Sequence, residues 1–180
     1  MKNSNNTAAA IKQAIELCDS MRHEFVTPEH VLYALTDQLA FFYALTDIDI
    51  NIESVQFPLK EAFDKMERVP DGISYTIEGS EQFTQMMSFA IKQAQNAEVD
   101  MVDVPHIVAA MLMLDDSAAA YTLRGIMGTL QAQFFEALLC YYDGSDTSDE
   151  LVSEEDELDL DHAPWRQLVT CLNDTYPKHN

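Results

Sequence analysis

The sequence predicts an all-α protein: two tandem four-helix repeats packed as a pseudo-twofold eight-helix domain, then a disordered acidic linker and a short C-terminal helix. Three observations predict it. Of 180 residues, 47% are apolar while glycine and proline number only 5 and 6, which favours helix over a turn-rich sandwich or barrel. Apolar residues recur at three- and four-residue steps through most of the first 142 positions. The pattern also repeats. A shift of 76 places Ala14 and Ile15 on Ala90 and Ile91, Val26 on Val102, Thr27 on Asp103 and His30 on His106. A shift of 78 places Leu45 on Leu123, Ile48 on Ile126, Ile52 on Leu130 and Phe57 on Phe135. Caps, first-turn prolines and apolar positions recur together, the prolines offset by one, as expected of a duplicated helical unit.

The elements follow in order. A first helix from near Thr7 to near Arg22 carries Ala10, Ile11, Ala14, Ile15, Cys18 and Met21 on one face. Thr27 is the N-cap of a second, short helix with Pro28 at its first position, where a missing N–H costs nothing; Val31, Leu32 and Leu35 form its buried stripe. "LAFFYALTD" is the third helix and "NIESVQFPLKEAFDKM" the fourth, with Asn51 as candidate cap and Pro58 as a kink or as the mark of a later start. "RVPDGISYTIEG" is a loop. Ser80 caps the fifth helix, Asp103 the sixth with Pro105 in its first turn, and "SAAAYTLRG" and "TLQAQFFEALLCYY" complete the second set. These elements give a domain over 1–143.

From residue 144 to 163 the composition is that of a solvated linker. Between Asp143 and Asp161 lie ten acids and no lysine or arginine, and like charges at this density oppose compaction. Over 164–180, Trp165, Leu168, Val169 and Leu172 stand at i, i+3, i+4 and i+7, an amphipathic helix.

A net charge of −21 opposes binding to phosphate backbones and anionic membranes, so neither nucleic acid nor membrane is an expected partner; proteins are. The N-terminus lacks a signal-peptide core and no apolar run reaches spanning length, which reads as a cytoplasmic protein. Cys18, Cys140 and Cys171 show no C-x-x-C spacing and fall in apolar helical contexts, the setting of buried free thiols.

No nucleophile elbow, phosphate loop or dinucleotide fingerprint is present, so the sequence offers no catalytic residues and no nucleotide cofactor. His23, Glu24, His30 and His106 admit a metal-binding reading, although their spacing matches no strong template. The recurrence of His30 as His106, each three residues after a cap, favours a structural role. His23 and Glu24 fall on the loop between the first two helices, where exposed charge serves either as plain solvation or as a partner contact.

These features resemble the Clp N-terminal domain, which precedes the ATPase modules of the AAA+ Clp unfoldases. "RHEFVTPEHVLYAL" (Arg22–Leu35) is similar to the family's "RHEF-x-T-x-EHLLLAL", and "GSEQFTQMMSFAIKQA" (Gly79–Ala94) is similar to the start of its second repeat, with Met86 and Met87 in place of Val-Leu. The "RHEF" form and acidic linker point to the ClpA branch. The resemblance implies a non-catalytic module, without cofactor, that docks a ClpS-like adaptor and protein substrates for an ATPase acting with the ClpP protease. It implies that Glu24 and His23 within "RHEF" contact the adaptor, and that Ser80 stands where the family has a contact threonine. Gln85 occupies a position that is commonly basic in ClpA, and Phe83 falls in the core. It further implies that residues 164–180 lead into an ATPase module beyond this chain. A stand-alone regulatory protein of the same fold is the alternative.

Overall fold

The computed structural model describes residues 1–142. The linker and C-terminal helix expected over 144–163 and 164–180 lie outside the described residues, as does Cys171.

Among the described residues eight α-helices form in the predicted order. Helix α1 (Asn5–Ser20) is capped by Ser4, whose Oγ accepts the Thr7 N–H; α2 spans Pro28–Leu35, α3 Leu39–Asp47 and α4 Glu53–Lys65. Helix α5 (Glu81–Asn96) is capped by Ser80, α6 (Val104–Leu112) by Asp103 and α7 (Ala118–Met127) by Ser117; a short 3₁₀ turn over Gly128–Leu130 leads into α8 (Gln131–Tyr142). Three details differ from the sequence expectation. Helix α1 starts two residues earlier than Thr7 because Ser4 supplies the cap, and it ends at Ser20 because Arg22 turns into left-handed backbone (φ 55°). Helix α4 neither begins at Pro58 nor is broken there: it runs through the proline from Glu53, whose N–H is satisfied by Asn51 Oδ1.

Four two-residue strands also appear, too short to leave a periodicity in the sequence. β1 (Lys2–Asn3) pairs in parallel with β4 (Met101–Val102), and β2 (Phe25–Val26) with β3 (Glu78–Gly79). A shift of 76 carries β1 onto β3 and β2 onto β4, so the two pairings are the same pairing seen from each repeat. Lys2 faces Met101 as Glu78 faces Phe25. The hydrogen bond from Ser4 N–H to the Val102 carbonyl (2.9 Å) is matched by that from Ser80 N–H to Val26 (2.9 Å).

Packing obeys the same symmetry. Helix α1 lies on α2 and α5 on α6 within the repeats, whereas α3 packs on α8 and α4 on α7 across them. Small residues one turn apart on the inner face of α1 (Ala10, Ala14, Cys18) and of α5 (Ala90, Ala94) are buried, letting backbones approach closely; Leu32, Leu35, Phe41, Leu45, Leu59, Met111, Leu123, Phe134 and Leu138 fill one continuous core. Phe83, expected in the core, is half-buried against it. Two cross-repeat bonds to Glu29 have no symmetric counterpart, because the matching position is Pro105. Glu29 Oε2, buried, accepts Ser117 Oγ (2.9 Å) and Ala119 N–H (2.8 Å), placing a carboxylate at the positive end of α7.

Cys18 is the buried free thiol the sequence predicts, with its Sγ–H directed at the His23 carbonyl (3.1 Å) and burial pushing its pKa up to about 11. Cys140 corrects that expectation: it is disulfide-bonded. Cys18 is fully buried on α1, whereas Cys140 is half-buried on α8.

Candidate docking site

The segment from Met21 to His30 joins α1 to α2. Arg22 reverses the chain in left-handed backbone, and its guanidinium then holds the loop that follows α4. Nε donates to the Val69 carbonyl (2.8 Å) and Nη2 to Pro70 (2.7 Å) and Ile73 (2.8 Å), while the Tyr75 ring lies 5.1 Å from its centre. The loop answers with Val69 N–H to the Arg22 carbonyl (2.7 Å) and Arg68 Nε to that of Met21 (2.9 Å). Five hydrogen bonds from one short stretch fix a loop that has no secondary structure of its own until β3.

Beneath this loop lies a chain of polar groups. Thr27 N–H donates to His30 Nδ1 (3.0 Å), so the His30 proton sits on Nε2 and is donated to His23 Nδ1 (2.9 Å); the remaining His23 N–H turns to the Phe63 carbonyl. His30 stacks on Phe63 with ring centroids 4.9 Å apart. Both imidazoles are neutral in this arrangement, since every acceptor nitrogen is engaged. Burial, with the neighbouring His23, lowers the His30 pKa to about 4, and burial followed by the charge of Arg68 lowers that of His23. His23 was expected to be exposed. It is only 2% accessible, because the loop after α4 closes over it. In the other repeat His106 Nδ1 accepts the Asp103 N–H (2.8 Å), so both recurrent histidines cap their helices as the duplication implied.

Glu24, next in the chain, is exposed. Together with His23, Ser80, Phe25 and the loop residues Met66, Glu67, Val69 and Ile73 it lines an open groove of about 620 Å³. Phe25 and Ile73 leave 46% and 54% of their surface accessible, so the groove offers apolar anchors beside the carboxylates of Glu24 and Glu67. Three of the four sequence-predicted contact residues, His23, Glu24 and Ser80, thus share one cavity. Ser80 Oγ also accepts the Phe83 N–H as the α5 cap. Gln85 is exposed on α5 and does not line the groove. Sequence reasoning missed Phe25, Ile73 and Arg22.

The four residues of the metal-binding reading are dispersed among other tasks. His30 and His106 each spend Nδ1 on a helix cap, and His23 spends both ring nitrogens on His30 and Phe63. Among the described residues no group of three or more His, Cys, Asp or Glu is arranged to hold a metal. Nor is any described helix long and apolar enough to cross a membrane.

The described residues thus form a duplicated helical domain with an open, largely apolar groove on one face. The sequence profile of the Clp repeat (R) N-terminal domain matches residues 2–126, and the chain belongs to that family. Solved structures that share the fold include three N-domain-like chains. One is the Hsp104 N-terminal domain from Candida albicans, at 17% identity and a TM-score of 0.61, covering 77% of this chain and 90% of that one. A chain from a malarial protein secretion system gives 18%, 0.64, 77% and 92%. The N-terminal domain of the caseinolytic protease associated chaperone ClpD from Arabidopsis thaliana gives 14%, 0.56, 77% and 92%. No curated protein matches by sequence. The domain is thus of the kind carried by AAA+ unfoldases of the Hsp104 and Clp type.

Proposed function

We propose that this chain is the adaptor- and substrate-docking domain of a ClpA-like unfoldase in the cytoplasm. It receives a ClpS-like adaptor and passes cargo to ATPase modules that work with ClpP, and it carries out no chemistry of its own. The observation that supports this reading is the convergence of Glu24, His23 and Ser80 on one groove with exposed Phe25 and Ile73 beside them. Apolar anchors ringed by charge are the arrangement expected of a specific but reversible protein contact.

In this reading Glu24 supplies the charged contact and Ser80 a hydroxyl in the same groove. His23 acts from below by fixing the backbone that presents Glu24, and Gln85, outside the groove, is peripheral. The test is calorimetric titration of a ClpS-like adaptor into wild-type and Glu24→Lys protein. Because Glu24 is exposed and buries nothing, the variant folds with an unchanged urea midpoint and loses about tenfold or more in affinity, the scale of reversing one interfacial charge. Gln85→Ala shifts affinity by less than about threefold. Full affinity in a folded Glu24→Lys protein removes the assignment.

A further inference from the structure

The pseudo-twofold axis relates the seat on which the loop after α4 rests to a second seat, in the other repeat, on which nothing described rests. The backbone of the two seats is the same. Arg22 (φ 55°) corresponds to Glu98 (φ 59°). Arg22 N–H to Asp19 O (3.0 Å) corresponds to Glu98 N–H to Gln95 O (3.0 Å), and His23 N–H to Cys18 O (3.0 Å) to Val99 N–H to Ala94 O (3.1 Å). In the first repeat the Met21 and Arg22 carbonyls accept Arg68 Nε and Val69 N–H. Their counterparts, the carbonyls of Ala97 and Glu98, accept nothing among the described residues and face solvent. The missing cover is measurable at the next position: His23 is 2% exposed and its counterpart Val99 is 43% exposed.

We infer that the edge Ala97–Met101 is a second docking seat, shaped to take an extended segment of a partner protein that carries basic side chains. The first repeat supplies the template for how such a segment lies. A main-chain N–H reaches the Glu98 carbonyl, a basic side chain like that of Arg68 reaches the Ala97 carbonyl, and an apolar side chain covers Val99. Charge sets the choice of partner. Where the first repeat has Arg22, which binds the loop carbonyls and lies 3.7 Å from Asp71, the second has Glu98, with Asp100 two residues on. A segment with a lysine in place of Asp71 meets a carboxylate there, and one with an aspartate is repelled. The stretch after Tyr142, which by position in the repeat corresponds to the loop after α4, is a poor occupant for the same reason. It carries ten acids and no lysine or arginine between Asp143 and Asp161.

The test uses the full 180-residue chain and two synthetic decapeptides. One has the chain's own loop sequence, MERVPDGISY (residues 66–75), and the other the same sequence with D71K. Each is titrated against ¹⁵N-labelled protein. The D71K peptide shifts the amides of Ala97–Met101 saturably and binds about fivefold to tenfold more tightly than the native-sequence peptide, and Glu98→Arg in the protein reverses that order. Glu98 is exposed, so this variant keeps the fold. The proposal is overturned by shifts confined to the Glu24 groove, by equal affinity for the two peptides, or by no saturable shift at Ala97–Met101. Nuclear Overhauser contacts from Val99 to residues beyond 142 in the free chain also overturn it, since the chain would then fill its own seat.

Discussion

His30 and His106 occupy equivalent places, three residues after an N-cap, and each accepts the cap's backbone N–H on Nδ1 (3.0 and 2.8 Å). Their surroundings differ. His30 is wholly buried, stacked on Phe63 and bonded through Nε2 to His23, whereas His106 is half-buried and has Val99 where the first repeat has His23. Duplication preserved the helix-start chemistry, which needs only residues three apart. It did not preserve what covers that chemistry, which in the first repeat is the loop after α4, without a counterpart among the described residues, and a second histidine. The same capping device is therefore a deep structural element in one half and a surface feature in the other.

Removing the two imidazoles breaks this comparison most directly. His30→Ala loses the cap bond, leaves His23 Nδ1 without its donor in a buried site and opens a cavity beside Phe63, together costing about 3–4 kcal/mol. His106→Ala loses the cap alone, about 1 kcal/mol. Urea midpoints at constant slope measure both. Equal losses would mean that the relay beneath the loop contributes nothing.

The next largest effect is on pH. The fold holds His30 neutral, with its pKa lowered to about 4, so the unfolded chain takes up a proton first as pH falls. The resulting stability is complete above the ordinary histidine value of about 6.5 and is lost progressively towards pH 4, a change of about 3 kcal/mol for His30 at the usual 1.36 kcal/mol per pH unit. His23 adds in the same direction, since burial and Arg68 both lower it. His106 contributes less: burial lowers it, but Asp103 beside it acts the opposite way. Urea unfolding between pH 7 and pH 4 shows this loss in the wild type and a flatter profile in His30→Ala. In an NMR titration His30 is the last of the three rings to take up a proton. A steep acid dependence that survives His30→Ala would assign the effect elsewhere.

Much of this was legible from residues alone, and the division has a physical cause. Caps, first-turn prolines and the buried stripe of α2 are local, so Thr27, Ser80, Asp103 and Leu32 declare themselves within a turn or two, while the α1 stripe was legible in part: Ala10, Ala14 and Cys18 are buried but Ile15 is 40% exposed. The repeat was visible because those local signals recur at one spacing. What stayed hidden was set by partners distant in sequence. His23 looked like a charged loop residue, and only the loop 47 positions away that Arg22 pins makes it a core group. The four strands, at two residues each, were below any periodicity. The gathering of Glu24 and Ser80 into one groove depends on the β2–β3 pairing, and Gln85, one turn further along α5, is left outside it by the same geometry.

The smallest expected effect is also the most direct probe of the two seats. Arg22 and Glu98 both sit in left-handed backbone, which costs a residue with a Cβ about 1 kcal/mol and costs glycine almost nothing. Glycine at either position relieves that strain, so the sign of the net change depends on what the lost side chain was doing. Glu98→Gly removes a solvated carboxylate and stabilises by about 0.5–1 kcal/mol. Arg22→Gly gains the same relief and forfeits three side-chain bonds to the Val69, Pro70 and Ile73 carbonyls. These are partly solvated and worth about 0.5–1 kcal/mol each, so the net change is a loss of about 1–2 kcal/mol. Opposite signs at two positions with the same backbone angles would show that the loop is held by its arginine and not by the turn. Matching signs would show that the turn alone suffices, and that the arginine is not what holds the loop after α4 in place.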